Sequence, residues 1–327
     1  MTTQLYSLSI CVRATMDMHS LNNEGGEGNQ IQTRMVNIVD QNGDLQNVNA
    51  ISGDMYKHIQ AAHLFNIARN NGNLPLSAGA AEFNANRINA DSKFIARIKD
   101  MGDAAALDDL LQTCAVSDME GTLVTEGRSL PRKSVIEFGW VVGVPGTVET
   151  DSYFHAKYVN DNSKTSESRE AESTSGANLG QNIFHRPASS GIYAIVCHVD
   201  LARIGFNDIT QQYAIDDDQR RGRARAMLES VLYTFLQPNG AMRSTQAPHI
   251  VNLEGVISTS TSPTPAPTVS PLKDDYRDTI AEIANNLNTI AEDSLAVDRF
   301  DTISDFSGLM ANIINNTEPY TLRYAGA

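Results

Sequence analysis

The residues whose types and spacing best suit chemistry lie in the stretch ISGDMYKH, residues 51–58. Ser52 is a plausible N-cap of a helix, and the glycine after it leaves backbone N–H groups accessible. Lys57 and His58 follow within the first turns, so a cation and N–H donors could meet one phosphate. An ordinary capped helix whose Lys57 faces water explains the same residues, and the residues alone favour that simpler interpretation.

Three further stretches have the composition of loops that contact a nucleic-acid backbone. They are HSLNNEGGEGNQIQTR (19–34), GRSLPRK (127–133) and NGAMRSTQAP (239–248). Each combines arginine with glycine or hydroxyl residues, and each is equally well explained as a solvated loop. The four arginines within 220–225 follow three aspartates, a spacing that favours ion pairs along an exposed helix face. Together these stretches favour a phosphate- or RNA-binding protein more than any one of them does alone.

Catalytic and metal-binding motifs are missing from the sequence. It contains no GxxxxGK[ST] loop, no GxSxG elbow and no HExxH pair, and Asp40–Asp44 resembles the opening of a calcium loop with its glycine two positions early. His58 and His63 are five residues apart and do not share a helix face. The three cysteines are far apart, which indicates free thiols in a reducing compartment. We therefore expect no metal, no cofactor and no enzymatic activity.

The negative charge is concentrated in two segments. The chain of 327 residues has a formal net charge of −14, of which residues 101–127 contribute −6 (six acids, no Lys or Arg) and residues 271–327 another −6 (ten acids, four bases). The remainder carries −2, from 23 acids and 21 bases. Because association depends on local potential, this near-neutral remainder can still present a basic groove. The acidity alone therefore does not decide against nucleic acid.

Hydrophobic patterns predict strands and helices in alternation. Strands are predicted at 5–13, 34–39, 45–48, 134–145, 191–206 and 249–257, and helices at 52–72, 103–114 and 216–235. Asn42-Gly43 is a strong signal for a hairpin turn between the second and third of these strands. The recurring order strand, helix, strand, strand, helix, strand predicts an α/β (α+β) two-layer sandwich of the RNA-recognition or ferredoxin-like kind.

The chain is predicted to form one large unit, 1–257, followed by two segments of different composition. Residues 160–180 are polar and rich in serine, which is typical of a mobile or functional excursion between strands. Residues 258–271 are rich in Ser, Thr and Pro and are interpreted as a linker or surface loop. Residues 272–327 are predicted to be helical and to pack on the body or on a neighbour. The apolar residues at helical spacing there are Tyr276, Ile280, Ile283, Leu287 and Ile290.

Several segments, in order, resemble the DevR-type CRISPR-associated backbone proteins of type I Cascade complexes, the "Cas seven" family. The matching stretches are MDMHSLNNEGGEGNQIQTR, ISGDMYKHIQAAHL, FHRPASSGIYAIVCHVDLARIGFNDI and NGAMRSTQAPHIVNLEGVI. The resemblance covers residues 5–257 and implies an RNA-recognition-type palm, a helical fingers region and a flexible thumb hairpin at about 146–190. It also implies that copies polymerise along the guide RNA and present it for pairing with target DNA.

The resemblance further implies site residues and partners. The residues placed along the guide are Asn22, Asn23, Gln32, Arg34, Ser52, Lys57, His58, Arg132, Lys133, Arg186, Arg243, Ser244 and Thr245. Leu179 or Phe184 would be the apolar wedge of the thumb, and Glu24 and Glu27 would turn away from the phosphates. The implied partners are crRNA, the target DNA strand, further copies of the chain, and the small backbone-end subunit, large subunit and guide-processing endoribonuclease of Cascade. The implied location is the prokaryotic cytoplasm, in keeping with the lack of a signal-peptide pattern and of an apolar run of roughly 20 residues.

Two other functions are compatible with the sequence. Backbone relatives in type III complexes cut RNA with a loop aspartate and a metal, and Asp17 could take that role, although a structural hydrogen bond is an equally good interpretation. The other is a structural protein that interacts through its acidic helices without RNA. Cleavage of complementary RNA with Mg²⁺ that is lost in Asp17→Ala would identify the nuclease. A particle size independent of guide RNA would identify the structural protein.

Overall fold

The computed structural model describes residues 2–21, 23–27, 30–70, 74–158, 181–239 and 247–323. The strands are β1 (Thr3–Leu5), β2 (Ser7–His19), β3 (Asn23–Glu27), β4 (Gln30–Thr33), β5 (Met35–Val39), β6 (Leu45–Ile51), β7 (Thr122–Val124), β8 (Leu130–Arg132), β9 (Ile136–Phe138), β10 (Val141–Gly143), β11 (Glu149–Tyr158), β12 (Gln181–Asp200), β13 (Phe206–Asn207), β14 (Gln212–Tyr213), β15 (His249–Ser260), β16 (Leu295–Phe300) and β17 (Thr317–Pro319). The helices are α1 (Gly53–Asn70), α2 (Ala78–Ala81), α3 (Ser92–Ile98), α4 (Asp103–Thr113), α5 (Ala115–Glu120), α6 (Asp217–Leu236), α7 (Tyr276–Asn288) and α8 (Ile303–Asn316), with short 3-10 helices at Arg87–Ala90 and Leu201–Arg203. Among the described residues, no helix is both long and apolar enough to cross a membrane.

One large sheet organises the molecule. Its main path runs β16-β15-β2-β12-β10-β6-β5. Six elements of the core occur along the chain in the order β2, α1, β10, β12, α6, β15. In the sheet, its four strands are antiparallel neighbours in the order β15, β2, β12, β10. If these strands are numbered one to four along the chain, their order across the sheet is 4-1-3-2. This is β-α-β-β-α-β connectivity. The predicted α/β class is therefore confirmed.

Local sequence signals explain the element boundaries that were predicted best. The turn between β5 and β6 is closed by Asp40, whose carboxylate accepts a hydrogen bond from the backbone N–H of Asn42 at 2.9 Å, and by Gly43 at φ +90°. The carboxylate of Asp216 caps α6 by accepting from the backbone N–H of Gln219 at 2.8 Å. Because such caps act within one turn, the capped helices α1 and α6 begin within one residue of their predicted starts.

One face of β2 lies in the main hydrophobic core. Leu8, Ile10 and Val12 are fully buried there, in one cluster with apolar residues of α1 and α6. At the end of the strand, the hydroxyl of Tyr56 on α1 contacts Met16 Sδ at 3.7 Å. The alternation of this strand therefore places its even-numbered residues against the helical layer.

The opposite face of β2 is covered by the segment that follows β15. Ser9 Oγ donates to the carbonyl of Ala266 at 3.1 Å, and Arg13 Nε donates to the carbonyl of Pro271 at 2.7 Å. Cys11 lies in a second apolar cluster with residues of α7. Of the stretch 258–271, interpreted as a linker or surface loop, the first three residues continue β15 and the remainder packs against the sheet.

The chain after residue 272 is not only helical. β16 pairs with β15 from Gly255↔Phe300 onward and forms an edge of the large sheet, while β17 runs parallel to β1. The predicted helix is found as α7, but it ends at Asn288, so Ile290 is 81% exposed and does not continue the apolar face. The segment is an integral part of the fold because it completes the sheet at one edge.

Two sequence stretches have a different structure from the predicted one. Residues 19–34 were interpreted as a loop, but β3 and β4 form a hairpin there, with Asn23↔Thr33 in register. The strand predicted at 134–145 is divided into β9 and β10 at Gly139-Trp140. Next to that break, Gly53 at the start of α1 comes so close that a Cβ on it would lie 2.5 Å from the carbonyl oxygen of Phe138.

The region predicted as the thumb begins in a long hairpin. β11 and β12 pair antiparallel over ten residues, from Glu149↔Ser190 to Tyr158↔Gln181. Phe154 on β11 is 61% exposed, and its ring lies 5.9 Å from the ring of His185. Residues 159–180, which complete the predicted thumb and include Leu179, lie outside the described residues.

Candidate nucleic-acid interface

The start of α1 is shaped by capping and by close packing. Ser52 Oγ accepts a hydrogen bond from the backbone N–H of Met55 at 3.2 Å, so the predicted N-cap is present. Gly53 is required there because only a residue without Cβ fits against Phe138 and Gly139. The Ser-Gly pair therefore has a full structural explanation, and it fixes the helix start beside residue 140.

Trp140 is the exposed centre of this region, and sequence reasoning missed it. Val141 pairs with Ile51, so Trp140 lies just beyond the last pair of this ladder, at the end where β6 leads into Ser52. The Arg34 guanidinium carbon lies 5.2 Å from the centre of the Trp140 ring, and the tryptophan is still 48% exposed. The sequence offered one signal for it, because Trp140 is the single tryptophan of the chain. It lies within a stretch that was interpreted as an ordinary strand. The structure thus brings Arg34 and Ser52, which are predicted guide contacts, around an aromatic residue.

Lys57 and His58 line a cavity of about 320 Å³ on another side of α1. The other side chains that bound it include Asp54, Phe83, Arg87 and Glu120. Burial lowers the pKa of Lys57, and the nearby Glu120 carboxylate partly opposes this shift; burial also raises the pKa of Glu120 itself. His58 is exposed, with its ring 5.5 Å from that of Phe83. Lys57 is therefore only half accessible and has acidic neighbours.

Lys133 lies in the same neighbourhood as Lys57. Its Nζ is 2.9 Å from a carboxylate oxygen of Glu137, and both side chains are exposed. The hydrogen bond from Lys133 lowers the pKa of Glu137, and Lys57 and His198 contribute smaller attractions. Lys133 is thus the predicted guide contact that pairs with this carboxylate, and Lys57 acts on it only through a weaker electrostatic attraction.

Arg132 requires a correction. Its side chain is fully buried and donates to Asp118 at 2.7 Å, to Asp208 at 3.1 Å and to three backbone carbonyls. A guanidinium held in this way has no path to a phosphate, so its predicted contact with RNA is incompatible with the structure. The neighbouring Lys133 is the accessible cation of this stretch.

The arginines of α6 also differ from their predicted placement on an exposed face. Arg221 pairs with Asp218 on the surface, as predicted. Arg223, however, is fully buried, and its NH1 donates to Asp118 at 2.7 Å. Arg220 is buried as well and donates to the carbonyl of Tyr320 at 2.7 Å. The helix therefore uses two of its four arginines inside the protein.

For the remaining predicted contacts, the structure describes the whole residue, the backbone alone, or nothing. Gln32 is an exposed residue of β4, and Arg186 is a partly exposed residue of β12, opposite Tyr153 on β11. The structure gives only the backbone of Asn23, Glu24, Glu27 and Phe184, in strands β3 and β12. Asn22, Leu179, Arg243, Ser244 and Thr245 lie outside the described residues. Their predicted roles stay predictions.

Asp17, the residue considered for metal-dependent cleavage, is partly exposed on β2, where it pairs with His249 of β15. Within the described ranges, no group of three or more His, Cys, Asp or Glu side chains is arranged to hold a metal ion. In this part of the chain, Asp17 has His249 across the ladder but belongs to no such group of three, which is the least that a metal site draws on.

Comparison with known proteins gives one family match. A family model described as "CRISPR-associated negative auto-regulator DevR/Csa2" matches residues 10–281. Comparison with curated proteins finds no match. The matched range runs from β2 into α7 and includes every element around Trp140.

The chain is also similar to solved structures whose sequence identity to it is low. One is described as "CRISPR RNA-guided surveillance complex, pre-nicking", at 13% identity over 94% of this chain and 99% of that chain, with a TM-score of 0.49. A second is described as "CRISPR RNA-guided surveillance complex", at 14% identity over 94% and 98%, with a TM-score of 0.47. A third is Csc2 of Thermofilum pendens, at 9% identity over 95% and 85%, with a TM-score of 0.40.

Proposed function

The chain belongs to the CRISPR-associated DevR/Csa2 family, and from this membership we propose that it is a non-catalytic, guide-RNA-binding backbone subunit of a type I Cascade surveillance complex. Copies would lie side by side along the crRNA and present it for pairing with a target DNA strand. The other Cascade subunits would be its further partners. The observation that carries this proposal is the family match across residues 10–281, which includes the whole β-α-β-β-α-β core.

The surface around α1 supports the proposal. Arg34 and Ser52 lie near the junction of α1 with β9 and β10, and Lys57 lines the cavity on another side of the same helix. Lys133 pairs with Glu137, whose pKa is also lowered by a weaker attraction from Lys57. The cations are few, but hydroxyl, amide and backbone N–H groups make many of the phosphate contacts in nucleic-acid complexes. We therefore expect binding with a modest dependence on salt.

The acidic stretch 101–127 is less of an obstacle than its formal charge suggests. Asp118 is fully buried between two arginines, and Glu120 is buried beside the Lys57 cavity. Asp109 is paired with Arg97, whose Nε donates to it at 2.7 Å. Asp103 also lies 3.3 Å from the guanidinium of Arg128. Four of the six acids are thus either inside the protein or paired with an arginine, which weakens the repulsion of phosphates that the composition predicts.

The direct test is whether the purified protein carries RNA. Expression with a CRISPR array, followed by purification and sequencing of bound RNA, should recover guide sequences, and the particle size in size-exclusion chromatography should grow with guide length. RNA-free protein whose size is unchanged by added guide would contradict the proposal.

The positions of the cations can be tested by two matched double variants. Lys57→Ala with Lys133→Ala should weaken guide binding and reduce the log–log salt slope by about 1.4, because each lost phosphate contact on a single strand contributes about 0.7. Lys93→Ala with Lys99→Ala removes two exposed lysines of the α3 region and should leave both quantities unchanged. Equal effects of the two double variants in a filter-binding titration would show that Lys57 and Lys133 are not specific contacts.

A further inference from the structure

We propose that Trp140 and Arg34 form a stacking platform that takes one base of a single-stranded RNA. The inference rests on the proposed function and adds Trp140, which is not among the predicted guide residues, to Arg34, which is. It starts from the exposure of Trp140: nearly half of the largest aromatic side chain in the chain is in contact with water. Its neighbour Val141 is fully buried, so the strand that begins after Trp140 is packed in the core and the exposure does not reflect a loose strand.

The arginine makes this surface suitable for nucleic acid. A guanidinium lying 5.2 Å from the ring centre is in range of a cation–π interaction, which orders both side chains. Such a pair offers a flat surface to a base together with a positive charge for its phosphate. An apolar protein segment would gain from the indole but not from the charge. The combination therefore favours a nucleotide.

Both members of the pair stand on well-anchored backbone. The carbonyl of Arg34 accepts from the backbone N–H of Ala50 at 3.1 Å and from the side-chain amide of Asn49 at 3.0 Å. Next to Trp140, the N–H of Gly139 donates to the carbonyl of Val196 at 2.9 Å. A base that stacks here finds its partner groups already ordered, which lowers the entropic cost of binding.

The position of the platform also matches the predicted track. Trp140 directly precedes Val141, which pairs with Ile51 at the end of β6, and the break in which it lies is the place where Gly53 packs. A strand of RNA passing the start of α1 would therefore meet the indole. Because every base has a stacking face, we expect the platform to accept any of the four bases.

The single tryptophan permits a direct readout. A six-nucleotide RNA, too short to align many copies, is titrated into the full-length protein while tryptophan emission and its quenching by acrylamide are followed. Stacking should quench the emission and protect it from acrylamide, with oligo-U and oligo-A giving similar results. The affinity of the same RNAs is measured by fluorescence anisotropy.

Three variants separate the platform from general damage. Trp140→Ala should weaken RNA binding about tenfold, whereas Trp140→Phe should retain most of it. Tyr233→Ala, at a partly exposed aromatic residue of α6, is the matched control and should bind like the wild type. Urea denaturation of each variant verifies that it is folded.

Each outcome decides between the two proposals. Wild-type protein that binds RNA without a change in tryptophan emission, or Trp140→Ala that binds as tightly as wild type, would overturn the platform and leave the proposed function in place. Absence of any RNA binding by the wild type would overturn the proposed function itself. Emission that depends on protein concentration but not on RNA would assign Trp140 to a contact between copies and would also overturn the platform.

Discussion

Asp118 is a buried carboxylate that pairs with two buried arginines. One of its carboxylate oxygens accepts from Arg132, and the other accepts from Arg223 and from the backbone N–H of Gly205. All three charged side chains are completely buried. Two guanidinium groups thus share one carboxylate. Removal of that charge would take from Arg223 its buried carboxylate partner and leave Arg132 with Asp208 alone, in a medium that solvates cations poorly.

Asp118→Asn should lower the free energy of unfolding by about 3–5 kcal/mol, the usual cost of breaking a buried ion pair on one side. Asp218→Asn makes the same chemical change at the exposed Asp218–Arg221 pair, and its urea midpoint of unfolding should be close to that of the wild type. Urea denaturation followed by circular dichroism measures both. Equal midpoints for the two variants would mean that the buried pair does not contribute in the way its burial predicts.

This network shows why the roles of single residues were harder to predict from the sequence than the secondary structure. Arg132 and Arg223 lie 14 and 105 positions from Asp118, so no local spacing connects them. Within α6, the aspartates at the N-terminus are a nearer set of partners. That local explanation holds for Arg221 and in part for Arg220, which also pairs with Asp217, but not for Arg223. Trp140 was overlooked for a similar reason, because its exposure depends on a strand break caused by packing.

At the scale of elements, the close contact between α1 and the β9–β10 break determines where the candidate interface lies. The carbonyl oxygens of Phe138 and Gly139 occupy the space in which a side chain of residue 53 would begin. The helix start and the exposed tryptophan are therefore held together by one glycine.

Gly53→Ala should destabilise the protein by about 1–3 kcal/mol, because the added methyl group must displace backbone. Gly308→Ala, inside α8 with nothing within 4 Å of the new Cβ, should instead stabilise it by about 1 kcal/mol through helix propensity. Thermal unfolding of the two variants gives the opposite signs directly. A neutral Gly53→Ala would show that the helix start can shift away from the break.

Helices and tight turns were predicted well because their signals are local. The caps of α1 and α6 and the Asn-Gly turn lie within a few residues of the structure they determine. The hairpin β3–β4 and the sheet strand β16 could not be predicted in this way. Their identity depends on pairing with strands elsewhere in the chain, and short strands rich in glycine or charge carry little alternation of their own.

At the scale of the whole molecule, a buried histidine links stability to pH. His19 ends β2, and its ring packs edge-on against Tyr193 at 4.7 Å. Within the described part of the chain, neither ring nitrogen has a hydrogen-bond partner. Burial lowers the pKa of His19 to about 4, from an ordinary value of 6.5. The folded state thus keeps the ring neutral at a pH where the unfolded chain already binds a proton.

The resulting stability is present above pH 6.5 and is lost as the pH falls toward 4. At about 1.4 kcal/mol per pKa unit, the wild type should lose about 3 kcal/mol more than His19→Phe between pH 7 and pH 4. Phenylalanine keeps the ring contact and cannot titrate. His249→Phe, at an exposed residue of β15, is the matched control and should follow the wild type. Urea titrations at a series of pH values measure the difference, and parallel curves for wild type and His19→Phe would contradict it.

The segment from 261 to 288 packs on the face of the sheet opposite the helices. It therefore limits where a polynucleotide could lie on the protein. In RNA-recognition modules of this connectivity, bases stack on the open face of the sheet. Here Ala266, Pro271 and Tyr276 occupy that face and close it. An RNA strand would therefore be guided along the rim, past the ends of the strands, where its outward bases stay free to pair with a complementary strand.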